Sequence, residues 1–235
     1  MFHSKIKSLG YLSPLIFTKL TYSDYDSKEY NKYIGQTFTK KEFFNKFPNF
    51  SPYKVIKKDM THHNYKYNLG FNKINTFITK NVCSEGGFYL TDNTNICSYL
   101  DYGENIAIIS LSDNSLIYLE DKKIKVSELV IEKIISKHEY FSNLNDKFQL
   151  EAVKQRGYSI QYINNPDKKV QLEAVKQNGY SIQYINNPDK EVQLEAIKQN
   201  GYSIKYINNP DKEVQLKVDN ILDFEFNKNR LKKSI

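Results

Sequence analysis

Four side chains in this sequence could ligate a metal or attack an electrophile as a group: His62, His63, Cys83 and Cys97. Zinc sites are built from close pairs with the spacing of C-x2-C or H-x3-H. An adjacent histidine pair and two well-separated cysteines do not have that spacing, so neither a metal site nor a cofactor is expected. Cys83 with His63 is the remaining catalytic candidate, because a thiol becomes a nucleophile only with a base beside it. The competing and preferred reading makes Cys83 a small buried hydrophobe ahead of a strand. Gly86-Gly87 is too short to cradle a phosphate and lacks the following Lys-Ser/Thr, so it reads as a tight turn. The carboxylates are scattered, and none pair for acid–base work.

These candidates sit in a stretch, residues 53–141, that reads as β-rich. Tyr53-Lys54-Val55-Ile56 and Phe88-Tyr89-Leu90-Thr91 are predicted strands. Ile106 to Ile109, Leu116 to Leu119, Ile124 to Val126 and Leu129 to Ile135 follow, separated by Asp, Asn, Ser and Lys turns. Asn93-Thr94 is expected to cap a helix ending near Gly103. Upstream, Leu15 to Leu20 reads as a short strand and Asp24 to Tyr33 as a polar helix. Thr39-Lys40-Lys41-Glu42 fits a capping box for a helix burying Phe43, Phe44 and Phe47. Pro48 and Pro52 close it.

From Gln149 onward the chain repeats itself at a 22-residue period: Gln149–Val170, Gln171–Val192 and Gln193–Val214, then a partial copy over 215–226. A fixed period of this size marks stacked supersecondary units. Asn165-Pro166-Asp167, with its two later copies, reads as a helix start with Asn as the N-cap and Pro at the first helical position. Asn178-Gly179 reads as the stop, with glycine in the left-handed conformation. A short second helix spans Tyr180 to Ile185. Val170, Leu172, Ala174, Val175, Ile182 and Ile185 supply an apolar face that one unit cannot bury alone. The fold expected is α+β: a β-rich N-terminal module followed by a short all-α solenoid of three helical repeats. The divisions are 1–52, a lead with short helices; 53–141, the module; 142–226, the solenoid; and 227–235, a basic tail.

The chain has 235 residues and a net charge of +7. The positive charge is spread along it, and Arg156 and Arg230 are its only arginines. Arginine is the favoured side chain for bidentate phosphate and base contacts, so specific nucleic-acid binding is not expected. Repeats that read bases vary a few surface positions from copy to copy. Here the differences are Arg156/Asn178/Asn200, Val153/Val175/Ile197, Gln161/Gln183/Lys205 and Lys169/Glu191/Glu213, which look like duplication. No run approaches the roughly 20 apolar residues of a membrane span, and no signal peptide is read at the start. A protein of a reducing compartment, not secreted, is expected.

The unit NNPDKEVQLEAVKQNGYSIQYI resembles a short helical repeat of Mimivirus-like giant viruses, a domain of unknown function, over residues 149–216. His63 to Asn72 and Cys83 to Thr91 resemble the N-terminal module of giant-virus proteins, some of which carry ankyrin repeats behind it. The resemblance implies an origin and a layout rather than an activity, with the host cytoplasm or the virion as location. The function expected is non-enzymatic protein–protein interaction with a host or viral protein. Gln155, Gln177, Gln199, Gln183 and Lys205 are the candidate partner-facing residues. Phe148 and the Val218 to Leu222 run are expected to cover the array's ends, which could otherwise self-associate. An enzyme with its site around His63 and Cys83 is one alternative; a lysine-rich, non-specific nucleic-acid-associated protein is another.

Overall fold

The structure, a computed structural model, describes residues 27–62, 64–79 and 86–220. The strand expected at 15–20, the tail, His63 and Cys83 lie outside the described residues. Short runs rich in apolar and β-branched side chains produce two four-stranded antiparallel sheets. One orders β1 (Thr37–Thr39), β8 (Leu116–Glu120), β9 (Lys123–Val126) and β6 (Phe88–Leu90). The other orders β2 (Tyr53–Ile56), β7 (Asn105–Ser110), β10 (Glu128–Ser136) and β5 (Gly70–Lys73). A bridge from Tyr53 to Thr91 ties β2 to the end of β6. A two-stranded hairpin, β3 (Thr61–His62) with β4 (Tyr65–Lys66), stands beside them.

Helix α1 (Ser27–Asn31) falls within the stretch read as polar and helical. Helix α2 (Lys40–Lys46) starts at the predicted capping box: Thr39 accepts from the Glu42 amide, and Glu42 accepts from the Thr39 amide at 2.8 Å. Phe43 and Phe47 are fully buried and Phe44 half-buried. Gly86 takes φ +89°, a conformation glycine adopts without Cβ strain, in the turn leading into β6. The helix expected after Asn93-Thr94 is a 3-10 helix, Ile96–Tyr102, preceded by Asn95, and no side chain caps it.

The C-terminal part is a run of helices in register with the 22-residue period. Three α-helices, α4 (Asp146–Gln155), α5 (Lys168–Gln177) and α6 (Lys190–Gln199), alternate with 3-10 helices Gly157–Tyr162, Gly179–Tyr184 and Gly201–Tyr206. Residues 212–220 are helical again. The short helix α3 (Lys137–Ser142) joins β10 to α4. Each copy buries the same face: Val170, Ala174 and Val175 on α5, then Val192, Ala196 and Ile197 on α6. Full burial of one Val or Ile is worth about 1.5–3 kcal/mol, so each copy gains mainly from its neighbour.

Two details differ from the expectation. The N-cap is Asp167, not Asn165: its carboxylate accepts from the Val170 amide at 2.7 Å, and Asp189 does the same for Val192. Proline therefore precedes the cap. Asn165, Asn187 and Asn209 instead hold φ of 48°, 49° and 51°, the left-handed region that asparagine tolerates better than most residues. Gly179 is not left-handed. It opens the 3-10 helix, and a Cβ there would lie 2.5 Å from the Ala196 carbonyl oxygen and 2.6 Å from Ser203 Oγ of the next copy. Gly157 meets Ala174 and Ser181 in the same way. Glycine is required by close approach between copies.

One apolar cluster runs without a break from Tyr53, Val55 and Leu100 through Tyr140 and Phe141 into every copy, ending at Val214 and Val218. A second fills the space between the sheets around Phe43, Phe88, Ile117 and Val126.

Candidate functional site

Two places gather functional side chains. The first is the row of tyrosines on the 3-10 helices. Tyr158 meets Tyr184 edge-on at 5.9 Å between ring centroids, and Tyr180 meets Tyr206 at 5.7 Å. The spacing arises because Tyr158 and Tyr180 hold equivalent positions, as do Tyr184 and Tyr206. Lys205 lies over both Tyr206, at 4.7 Å, and Tyr180, at 5.2 Å. Tyr184, Tyr202 and Tyr206 remain exposed, Tyr202 by 58%.

The glutamines proposed from sequence divide into two kinds. Gln177 and Gln199 serve the fold, contrary to expectation. Gln177 Oε1 accepts from the Gly157 amide at 2.7 Å, and Gln199 Oε1 from the Gly179 amide at 2.6 Å. Each glutamine thus reaches back to the preceding copy and satisfies the N–H freed where its 3-10 helix begins. Gln155, lacking an equivalent glycine upstream, lines a small crevice with Cys97, Tyr140 and Phe148. Gln183 is exposed and donates only to the Tyr180 carbonyl of its own copy. Lys205 belongs to the tyrosine row.

The variable positions have structural reasons that a single copy cannot disclose. Arg156 makes two hydrogen bonds to Asp101, at 2.9 and 2.8 Å, and joins the first copy to the 3-10 helix Ile96–Tyr102. That pairing holds the Asp101 carboxyl below its ordinary range. In the later copies Asn178 and Asn200 occupy the position and accept from the amides of Tyr180 and Tyr202. Lys168 pairs with Asp189 and Glu191 of the following copy, and Lys190 with Glu213. Asp146 and Lys169, the corresponding pair at the start, carry the opposite charges.

The same junction accounts for Cys97. Its thiol is buried beneath the first copy and accepts a hydrogen bond from Ser159 Oγ at 3.7 Å. Burial pushes it up to about 11, so it stays protonated and is not a nucleophile at neutral pH. Phe148 is half-buried against the continuous core, while the leading copy packs on α3 and the 3-10 helix. At the other end Val218 is buried, Leu216 is 65% exposed, and Asp219 and Asn220 are exposed; Ile221 and Leu222, the remainder of the run proposed to cover that end, lie outside the described residues.

The second place went unnoticed in the sequence. A cavity of about 200 Å³ opens between β2, β6 and the 3-10 helix Ile96–Tyr102. Tyr53, Tyr89, Tyr99 and Tyr102 contribute aromatic walls; Lys54, Lys123, His62 and Thr91 contribute polar groups. Lys54 is 4% exposed. Its amine donates to the Tyr89 carbonyl at 3.2 Å and lies 5.1 Å from the centre of the Tyr67 ring. Burial lowers it to about 7, because removing an ammonium from water disfavours the charged form. Lys123 is paired with buried Glu120 at 3.3 Å, and Lys125, wholly buried, lies 3.9 Å from the same carboxylate. A lysine within a predicted strand was the available signal, since Lys54 precedes Val55 in a run whose four residues are all buried. Among the described residues no group of three or more His, Cys, Asp or Glu side chains could hold a metal ion. None of their helices is long and apolar enough to cross a membrane.

Residues 145–188 and again 167–212 match a family described as a domain of unknown function (DUF4116). Two proteins of Acanthamoeba polyphaga mimivirus named as ankyrin repeat proteins are similar to parts of the chain. One is 39% identical over 61 residues, covering 25% of this chain and 18% of its own length. The other is 35% identical over 66 residues, covering 26% and 11%. The chain spans less than a fifth of the length of these curated relatives. No solved structure matches.

Proposed function

We propose that this is a non-enzymatic interaction protein of giant-virus type, whose 22-residue copies form a short α-solenoid that presents its tyrosine row to a host or viral protein. The layout proposed is a lead over 1–52, a module over 53–141, the solenoid over 142–226 and a tail beyond it, working in the host cytoplasm or the virion. The observation that carries this reading is the exposure of Tyr184, Tyr202 and Tyr206 along one periodic face. The copies are held together mainly by the glycine–glutamine bonds and the buried aliphatic face, to which the edge-on ring contacts add. Tyrosine offers a large, amphipathic contact with few rotatable bonds, which favours it where proteins bind one another. Similarity to proteins named for ankyrin repeats supports an array used for contact. Of the glutamines first considered, Gln183 fits a partner-facing role best, together with Lys205.

The test begins with crosslinking of the full-length protein in infected host cells and purification of the partner recovered. Calorimetry with that partner should then show binding weakened about tenfold or more when Tyr184, Tyr202 and Tyr206 are all changed to Ser, the scale of losing a hot-spot cluster. The thermal melt should fall by no more than the loss of two edge-on ring contacts, about 1–3 kcal/mol together, and the variant should remain folded. Undiminished binding by this variant would move the surface elsewhere and refute the assignment.

A further inference from the structure

The cavity beside β2 lies in the strand-rich part and is independent of the tyrosine row. A single water needs about 10–15 Å³ of such space, so about 200 Å³ is room for a small organic molecule. Its walls are unusual in charge. They include two amines and an imidazole but no carboxylate. Lys123 has a counter-charge in Glu120. Lys54 does not: among the described residues no carboxylate lies within ion-pair distance, and its amine meets one carbonyl oxygen and one ring. A buried amine without an anion is costly, since a neutral side chain of similar length would fill the space at lower cost. A cavity with tyrosine walls, amines and no carboxylate is arranged for a ligand that is flat and negatively charged.

We propose that this cavity binds a small planar organic acid, with its carboxylate at the Lys54 amine and its ring between the tyrosines at the mouth. Tyr102, 53% exposed, stands at the opening and would stack on the ring. The bound carboxylate would supply the missing counter-charge, so Lys54 would take up a proton as the ligand enters. The titratable groups lining the cavity with Lys54 are Tyr53 on β2, His62 on β3, Tyr89 on β6, Tyr99 and Tyr102 on the 3-10 helix, and Lys123 on β9, and Tyr67 after β4 lies against the amine itself.

The experiment uses the full chain with 2-naphthoate as probe and the uncharged 2-naphthamide as control. Calorimetry at pH 8, in two buffers of different ionisation enthalpy, should show naphthoate bound at least about tenfold more tightly than the amide, with net proton uptake. Lys54→Met should abolish both the preference and the uptake while leaving the melting temperature equal or higher. A merely structural lysine would not produce that combination. Tyr102→Ser, at an exposed position that should not impair folding, should weaken acid and amide alike. Equal binding of the two probes, binding weaker than about 1 mM, or an unchanged preference in Lys54→Met would each overturn the proposal. So would unchanged binding in Tyr102→Ser.

Discussion

In the strand-rich part the buried polar side chains include Lys54, Asp92, Glu120, Lys125 and Glu128; in the helical copies they are Gln149, Ser159, Ser181 and Ser203. The first set is largely charged and the second wholly neutral. Charges in the interior need partners with specific positions, so the strand-rich part is a structure in which distant residues depend on one another. Tyr30, for instance, donates to the backbone carbonyl of Glu120, and Lys125 to that of Ile78. The copies ask only for neighbours in the next copy. Interior charge therefore marks the half with a cavity able to discriminate among small ligands, and interior neutrality marks the half that can be lengthened.

The comparison breaks first, if it is wrong, at Glu120. Changing Glu120 to Leu leaves Lys125 buried without its carboxylate, and this should cost about 3–5 kcal/mol in a urea melt. A loss below about 1 kcal/mol would mean that the sheets do not rely on interior charge. Next is Gly179. Its Cβ has no room against the Ala196 carbonyl, so Gly179→Ala should cost about 3 kcal/mol, the upper end for overpacking. Gly70, at φ +90° with open space around it, should lose only about 1 kcal/mol on the same change, from backbone strain alone. Equal losses at the two glycines would remove the distinction between packing and conformation.

The smallest effect concerns the helix caps. Asp189→Ala should cost about 1 kcal/mol, and Asp189→Asn almost nothing at neutral pH. The pair also has a pH signature. The Val192 amide and then Lys168 hold the Asp189 carboxyl below its ordinary value in the folded chain. A depressed carboxyl stabilises the fold above its unfolded value, near pH 4, and that stability is lost as pH falls through the lower folded value. Thermal melts between pH 5 and pH 2, as an order-of-magnitude window for this loss, should therefore fall less steeply for Asp189→Asn than for the wild type. Parallel curves would show that the carboxylate contributes no charge-dependent stability.

Much of this fold can be read along the chain. Short apolar, β-branched runs at Ile106 to Ile109 and Leu129 to Ile135, set off by turn residues, announce strands, and Thr39 with Glu42 announces a helix start, because those signals are local. The cap at Asp167 was harder. Asn165 and Asp167 are both good capping residues two positions apart, and the rule placing proline at the first helical position selects the wrong one. Gly179 was misread for a different reason: the atoms that exclude a side chain belong to residues 17 to 24 positions further on. The same holds for Arg156, whose partner Asp101 lies in another part of the sequence. The Lys54 cavity is assembled from five separated segments and has no motif at all.

The backward reach of Gln177 and Gln199 has a consequence for inheritance. A copy brings with it the acceptor needed by the copy before it and leaves its own glycine amide for the copy that follows. Insertion of another 22-residue unit therefore satisfies one amide and presents one, with no change in the balance. Removal of Gln171 to Val192 would likewise place Gln199 where Gln177 now stands, opposite Gly157. Errors that gain or lose whole copies are neutral in hydrogen bonds, whereas a slip of a few residues strands a glycine amide against a wall of backbone. Copy number is thus free to drift in a lineage while the period is not.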